Sequence, residues 1–298
     1  MKNILIGTMC VGNDATAEYI RNLGNLGFES TEITFGHNCQ WLIDSGKADE
    51  YAAGIREAIT GSNMELSALG VYGNPLESDE DAKKTLNSWH FLIDNCHKFG
   101  TNLICGFTGG LTNKALPESI PAFKAVFSEL AAHAKEKNVR IAFENCNMGG
   151  SWHAIRWNIA LHPRAWELMF AAVDSDNLGL EWEPAHQLSQ LIDPIPQLRE
   201  WAEKIFHIHG KDATVDRASL ARYGIIGDIR CIGDRTPGFG DSNWTDIISI
   251  LRIHHYEGNI DIEGWHDPVY RGELEMTGQV AALKYLKQCR GGDFVPNF

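Results

Sequence analysis

The sequence predicts a single-domain (β/α)8 barrel over residues 1–298. Strand-like apolar segments alternate with helix-like segments eight times, and 298 residues is an ordinary length for one α/β barrel. A doubly wound sheet is the alternative. The stretch GTMCVGND after the first strand does not match the G-x-G-x-x-G phosphate loop expected of that fold. The predicted strands begin near residues 3, 30, 65, 102, 139, 178, 205 and 259.

The first four predicted strands are short apolar runs bounded by glycine or polar residues. They are Asn3–Gly7, Ser30–Phe35, Glu65–Val71 and Asn102–Phe107. A helix follows the first strand. Asp14 is its candidate cap, and Ile20, Leu23 and Leu26 form its inner face. Residues 46–60 form the second predicted helix.

The third and fourth helices have clearer boundaries. Ser78 and Asp81 resemble a capping box at the start of the third helix, and Gly100 is placed to end it. Its predicted core positions are Trp89, Leu92, Ile93 and Cys96. The fourth helix is predicted from about Pro117 to Lys137.

The second half of the chain continues the alternation. Its predicted strands are Val139–Asn147, Leu178–Glu183, Ile205–His209 and Asn259–Glu263. One predicted helix begins near Pro163. Three others cover Ile195–Lys204, 244–257 and Gly278–Lys287. The segment at about 210–243 is predicted to be a long loop over the barrel mouth, where such loops carry function.

Composition excludes several classes of partner. The formal net charge of −13 disfavours nucleic acid and anionic membranes, because both are bound through clusters of Lys and Arg. No stretch is long enough to span a bilayer, and the N-terminal residues do not resemble a signal peptide. Seven cysteines without short paired spacing predict free thiols in a reducing cytoplasm.

Four predicted strands end in side chains that bind metals. They are Glu144, Glu183, His209 and Glu263, on the last four strands in succession. In these barrels the C-terminal strand ends face a common mouth. A single acid or histidine at a strand end is usually solvated or packed, but four on successive strands favour one site.

Without a cation, three clustered carboxylates would repel one another strongly. An oxygen-rich set with one imidazole suits Mn²⁺ first, with Mg²⁺, Co²⁺ or Fe²⁺ as alternatives, and is unlike the N/S sites of zinc. Residues two apart share a strand face. In three stacked pairs, if the upper member is a ligand, the lower member lies one layer down in the barrel, where it needs partners of its own. The stacked pairs are Glu181 with Glu183, His207 with His209, and Asp261 with Glu263.

Five motifs lie along the chain: the ENC of the fifth strand, Glu183-Pro184-Ala185-His186, the H-x-H-x-K-D from His207 to Asp212, RTPGFGDSNW at 235–244, and IEGWHDP at 262–268. Together they resemble the xylose-isomerase-like barrels, in particular the sugar phosphate isomerase/epimerase group with tagatose and psicose epimerases and inosose dehydratases.

The resemblance implies metal binding by Glu144, Glu183, His209 and Glu263, and substrate contacts from His186 and Arg235. The strand-six ligand of the family is usually Asp, so the longer Glu183 leaves Glu181 as an alternative.

The implied activity is isomerisation or epimerisation of a keto sugar or related polyol. The metal would stabilise the enediolate while Glu144 and Glu263 act as base and acid. Lys211 and Trp265 are further candidates for substrate contact, although a solvated Lys211 is the simpler interpretation.

Two alternatives stay open: a lyase or dehydratase acting on an inosose or 3-keto-glycoside, and a sugar-binding barrel without turnover. The partner is a small sugar, whose phosphorylation the sequence does not decide, and a homo-oligomer is compatible with it.

Overall fold

The computed structural model describes residues 3–293 and 295–297. Eight parallel strands close a barrel, which confirms the predicted fold class. They are β1 (Ile6–Val11), β2 (Ser30–Thr34), β3 (Glu65–Val71), β4 (Leu103–Gly106), β5 (Arg140–Glu144), β6 (Leu178–Trp182), β7 (Ile205–Gly210) and β10 (Ile260–Ile262). Their order around the barrel is β1-β10-β7-β6-β5-β4-β3-β2. The remaining strands, β8 (Asp212–Val215) and β9 (Ile232–Arg235), form a separate two-stranded sheet.

The helices of the described chain connect these strands. They are α1 (Thr16–Asn25), α2 (Gln40–Ser45), α3 (Ala48–Gly61), α4 (Glu80–Phe99), α5 (Leu116–Glu136), α6 (Pro163–Ala172), α7 (Ala185–Leu188), α8 (Pro194–Trp201), α9 (Arg217–Tyr223), α10 (Trp244–Ile253) and α11 (Glu275–Cys289). Within the described residues, no helix combines the length and apolar character that crossing a bilayer requires.

The chain divides into two compact units. One contains the described residues up to Met9, Glu183–Glu203 and those from Ile208 onward, and is called the C-terminal unit below. The other contains Cys10–Trp182 and Lys204–His207, and is called the N-terminal unit. The single-domain organisation stays a prediction.

Aromatic packing holds the N-terminal unit together. Phe127 of α5 meets Trp89 of α4 and Phe143 of β5 edge-on, with ring centroids 5.8 and 4.9 Å apart. All three side chains are fully buried. Such pairs add to the stabilisation from area burial and fix the two helices on the strand. The predicted core positions of α4 are likewise all buried.

Two predicted caps were wrong. Ala15, not Asp14, precedes α1, and the exposed Leu26 lies beyond its end. Asp79 caps α4 by accepting a hydrogen bond from the Ala82 amide at 2.8 Å, so Ser78 lies outside the helix. Gly100 ends α4 in the left-handed region (φ 103°), as predicted.

The first strand lies further along the chain than Asn3–Gly7. Strand β1 begins at Ile6 because its ladder with β10 pairs Ile6 with Ile260 and Thr8 with Ile262. The Thr8 hydroxyl also donates to the Ile262 carbonyl at 2.9 Å. The short helices α2 and α7 were not predicted.

The segment at 210–243 is more ordered than a loop. It contains β8, α9 and β9, and the two strands pair antiparallel with Asp212 opposite Arg235. A small apolar core lies beneath this hairpin and includes Ala185 of α7. Its other buried members are Ala213, Val215, Cys231 and Ile232. The hairpin therefore packs on the helix that carries His186, while its position over the mouth stays a prediction.

Every cysteine is a free thiol, and all but Cys289 are buried, as predicted.

We expect Gly106→Ala to destabilise the fold by about 1–3 kcal/mol, the cost of overpacking. A Cβ at Gly106 would overlap the Val71 carbonyl oxygen and lie 2.8 Å from the Trp89 ring. The matched control is Gly54→Ala in α3, where a new Cβ meets nothing within 4 Å and helix propensity should raise stability by about 0.5–1 kcal/mol. Urea unfolding measures both, and equal effects from the two variants would contradict the packing argument.

Candidate metal centre

Three of the predicted ligands meet in the C-terminal unit. Glu183 directly follows β6, His209 lies within β7, and Glu263 directly follows β10. Their ligand atoms lie within 4.8 Å of one another, and all three side chains are buried. Each residue lies at or near the end of its strand. The three side chains meet because parallel strands end at the same edge of the sheet. The structure therefore places these three residues together, and their role as metal ligands stays a proposal.

Cationic and imidazole groups surround Glu263. Its Oε1 lies 2.9 Å from Lys211 Nζ and 2.9 Å from His266 Nε2. Its Oε2 lies 3.5 Å from His209 Nδ1. Lys211 Nζ is also 3.9 Å from Glu183 Oε1. The interpretation of Lys211 as a solvated loop residue is wrong, because its side chain is buried between two of the predicted ligands.

The pKa values follow from these contacts. Burial alone would raise the pKa of Glu263, but the Lys211 ammonium and the hydrogen bond from His266 outweigh it and hold that pKa well below its usual range. Burial lowers the pKa of His186 well below its usual range, and Lys211 lowers it further. Glu263 is therefore an anion and His186 a neutral imidazole at neutral pH.

His186 lies beside the cluster. Helix α7 follows β6 and places His186 Nε2 in contact with Glu183 and 3.4 Å from Lys211 Nζ. Helix α7 itself packs on the hairpin of β8 and β9 through Ala185. A neutral imidazole can accept a hydrogen bond from a bound polar molecule or donate one to it.

Glu144, the fourth predicted ligand, belongs to the N-terminal unit. It is the last residue of β5 and pairs in register with Glu181 of β6. Its side chain is buried. The prediction of its strand-end position is confirmed, and its role as a ligand stays a proposal.

The lower layer of the N-terminal unit has its own partners, as expected. The Tyr72 hydroxyl lies 2.5 Å from Glu32 Oε1 and 2.7 Å from Glu181 Oε2. His207 Nδ1 lies 2.8 Å from Glu181 Oε1. Both oxygens of Glu181 are thus engaged by neighbouring side chains. Burial raises the pKa of Tyr72 well above its usual range, and the charges of Glu181 and Glu32 raise it further.

Arg235 is held by a buried carboxylate that sequence reasoning did not single out. Its Nε donates to Asp267 Oδ2 at 3.0 Å. Asp267 also accepts backbone hydrogen bonds from Thr236 at 2.8 Å and Val269 at 2.7 Å. The guanidinium lies 5.9 Å from the Phe239 ring. Arg235 is therefore oriented through its Nε.

Trp265 occupies a strained turn. Its φ is 49°, and the His266 amide donates to the Gly264 carbonyl at 2.7 Å, closing a three-residue turn. A left-handed conformation is costly for a bulky residue and is often found at functional sites. The indole is 37% exposed, so it is available to a ligand.

Sequence reasoning missed several members of these networks. His266 is three residues after Glu263, a spacing that could have drawn attention to it. Glu32 and Tyr72 gave no signal, because each lies in an apolar strand context far along the chain from Glu181. Asp267 stood in the quoted motif but without a role.

The donor set in the C-terminal unit fits a divalent cation. Two carboxylates and an imidazole are present, an oxygen-rich combination that suits Mn²⁺, Mg²⁺, Co²⁺ or Fe²⁺. The nearby Lys211 ammonium offsets part of the buried negative charge.

Comparison with known proteins agrees with the fold. The family model described as "Xylose isomerase-like TIM barrel" matches residues 20–289, so the chain belongs to this family. Its members include sugar epimerases, isomerases and dehydratases.

Individual relatives are distant. The uncharacterized protein YfiH of Bacillus subtilis is 25% identical over 87% of this chain and 91% of its own length. An inosose dehydratase of Clostridium tetani is 24% identical over 54% of this chain and 51% of its own length. Among solved structures, D-psicose 3-epimerase with D-tagatose from Clostridium cellulolyticum has a TM-score of 0.71 at 16% identity, covering 96% and 99% of the two chains. At that identity the likeness concerns the fold alone.

We expect Asp267→Asn to lower stability at pH 7 by about 2 kcal/mol, the linkage value of its depressed pKa. Backbone hydrogen bonds and Arg235 outweigh desolvation and lower the pKa of Asp267 from 3.8 to about 2. Its stabilisation is therefore present above pH ~4, the pKa range of an unfolded Asp, and is lost as the pH falls through about 2.

Chemical denaturation of wild type and variant between pH 2 and 7 measures this difference. Asp228→Asn, which changes an exposed carboxylate of the same unit, is the control and should have little effect. A difference for Asp267→Asn that is as large at pH 2 as at pH 7 would show that the carboxylate charge is not responsible.

Proposed function

We propose that the protein binds one divalent cation through Glu144, Glu183, His209 and Glu263 and isomerises or epimerises a keto sugar or related polyol. The observation that carries the proposal is the buried group of Glu183, His209 and Glu263, whose ligand atoms lie within 4.8 Å of one another. Membership of a family with sugar epimerases, isomerases and dehydratases supports it.

Glu183 is proposed as the strand-six ligand in preference to Glu181. Both oxygens of Glu181 already contact Tyr72 and His207, at 2.7 and 2.8 Å. Glu183 instead lies with His209 and Glu263. If Glu181 bound the cation instead, Tyr72 and His207 would lose their hydrogen-bond acceptor. Leaving buried polar groups without a partner is costly.

The cation is proposed to be Mn²⁺, with Mg²⁺, Co²⁺ or Fe²⁺ as alternatives. When bound, it supplies a Lewis acid that stabilises negative charge on a substrate carbonyl oxygen.

The protein's own residues would handle the proton and the substrate oxygens. Glu144 and Glu263 are proposed to remove and return the proton next to the carbonyl. The depressed pKa of Glu263 makes it a carboxylate and so a proton acceptor in the resting protein. His186 and Lys211 are proposed to bind substrate oxygens. Lys211 is buried beside the ligands, and His186, which is partly exposed there, is a neutral imidazole.

Arg235 and Trp265 are proposed to complete the sugar site. Asp267 orients the guanidinium through its Nε, which leaves the terminal nitrogens for a substrate oxygen. The half-exposed Trp265 ring offers an apolar face of the kind that packs against sugars.

A lyase or dehydratase is the second candidate. It is favoured by the similarity of about half the chain to inosose dehydratases. Loss of a leaving group after proton removal would use the same residues, so one experiment can separate the two outcomes. Seven free thiols agree with a reducing, cytoplasmic location.

The function is tested with a panel of ketoses, inososes and 3-keto-glycosides incubated with Mn²⁺-loaded protein in deuterated water. An isomerase or epimerase should return a sugar that is one mass unit heavier at a carbon next to the carbonyl. A dehydratase should instead give a product lighter by one water. Mass spectrometry reads both results.

Glu263→Gln should abolish either reaction, and Glu257→Gln, which changes an exposed acid of the same unit, should leave it intact. If the loaded protein neither labels nor dehydrates any member of the panel, the catalytic proposal fails and a sugar-binding barrel without turnover is favoured.

Metal affinity distinguishes the two strand-six acids. We expect Glu183→Gln to weaken Mn²⁺ binding by at least ~10-fold, because replacing even a residue that only hydrogen-bonds to a metal ligand commonly lowers metal affinity by that factor. Glu181→Gln should mainly lower stability, by about 1–3 kcal/mol, because it disturbs the acceptor of Tyr72 and His207. Titration calorimetry and thermal melting measure the two effects. If Glu181→Gln loses the metal and Glu183→Gln keeps it, the ligand assignment is reversed.

A further inference from the structure

A second group of metal-binding side chains lies outside the barrel, between α4 and α5 of the N-terminal unit. His90 Nδ1 of α4 and His133 Nδ1 of α5 face each other at 3.2 Å. Each histidine has a carboxylate at its other ring nitrogen. His133 Nε2 lies 3.0 Å from Asp94 Oδ1, and His90 Nε2 lies 3.8 Å from Glu129 Oε1.

The helical repeat explains this arrangement. Asp94 lies four residues after His90 on α4, and Glu129 lies four residues before His133 on α5. Residues four apart share a helix face, so each helix presents one imidazole and one carboxylate to its neighbour. The helices pack against each other, which brings the two pairs into contact.

Both ring nitrogens of His133 have neighbours. Its Nε2 lies 3.0 Å from Asp94 Oδ1, and Lys137 Nζ lies 3.2 Å from the same oxygen. In the neutral tautomer that carries its hydrogen on Nε2, facing Asp94, the Nδ1 atom has a lone pair directed at His90.

We propose that His90 and His133 bind a Zn²⁺-like late first-row divalent cation through their Nδ1 atoms, and that this ion links α4 to α5. With Zn–N bonds of about 2.0–2.1 Å, two nitrogens of a tetrahedral site are about 3.3 Å apart. The observed separation is 3.2 Å.

The surroundings match what a zinc-bound histidine requires. Such histidines usually donate their second ring N–H to a carboxylate, and Asp94 and Glu129 occupy those positions. The two carboxylates also offset the charge of a divalent ion. Lys137 Nζ, 3.2 Å from Asp94, cancels only part of that negative charge.

Binding needs a modest adjustment of the rings. Their centroids are 5.4 Å apart, whereas a shared tetrahedral ion would bring them to about 5.2 Å. The His90 and His133 side chains are 33% and 23% exposed, so the rings can rotate and water can fill the remaining positions of the ion. This site is independent of the centre in the barrel, because it shares none of its residues.

The test is titration of the full-length protein with zinc chloride, followed by calorimetry and thermal melting. We expect wild type to bind one more equivalent of Zn²⁺ than either His90→Gln or His133→Gln, and zinc to raise the melting temperature less in those variants. His97→Gln, which changes an exposed histidine of α4, is the matched control and should bind as wild type does. Melting without metal shows whether each variant is folded.

A second measurement does not depend on the variants. In nitrogen-15 NMR spectra of wild type, zinc should shift the Nδ1 signals of His90 and His133, and EDTA should return both signals to their original positions. The proposal is overturned if His90→Gln and His133→Gln bind as much zinc as His97→Gln does. It is equally overturned if the wild-type Nδ1 signals do not respond to zinc.

Discussion

Buried negative charge at the strand ends is the constraint on which the rest of the site depends. A carboxylate removed from water is stable only when it is paired, bound to a cation or protonated. In the C-terminal unit, Glu183 and Glu263 satisfy this requirement with Lys211 and the imidazoles around them. A buried lysine between two acids is itself costly unless those acids are charged. The cluster is thus mutually dependent, and removing one member leaves the others unpaired.

The N-terminal unit meets the same constraint with hydrogen bonds and an imidazole. The Tyr72 hydroxyl lies 2.5 Å from Glu32 and 2.7 Å from Glu181. His207 Nδ1 lies 2.8 Å from Glu181 and 3.6 Å from Glu32, so the same imidazole contacts both acids. This network engages both oxygens of Glu181 with neighbouring side chains of its own unit.

The sequence was informative where chemistry and periodicity coincide. Glu183, His209 and Glu263 lie together in the structure, because each is at or near the end of a strand whose apolar run is easily recognised and parallel strands end together. Lys211 was misjudged, since nothing local distinguishes a loop lysine from one that is drawn inward by two acids. The hairpin of β8 and β9 was missed for a similar reason. Its strands have only four residues each and are separated by α9, so their pairing is non-local. Glu32 and Tyr72 became visible only when the closed barrel placed them beside Glu181.

The central claim is that the strand-end acids and His209 bind a divalent cation on which the chemistry depends. Crystals grown with Mn²⁺ and measured at the manganese absorption edge test it most directly, because anomalous scattering locates the ion independently of any assumed ligand. The account requires one strong peak bonded by Glu183, His209, Glu263 and Glu144. A map without a peak there, or with a peak bonded instead by Glu32, Glu181 and His207, would contradict it.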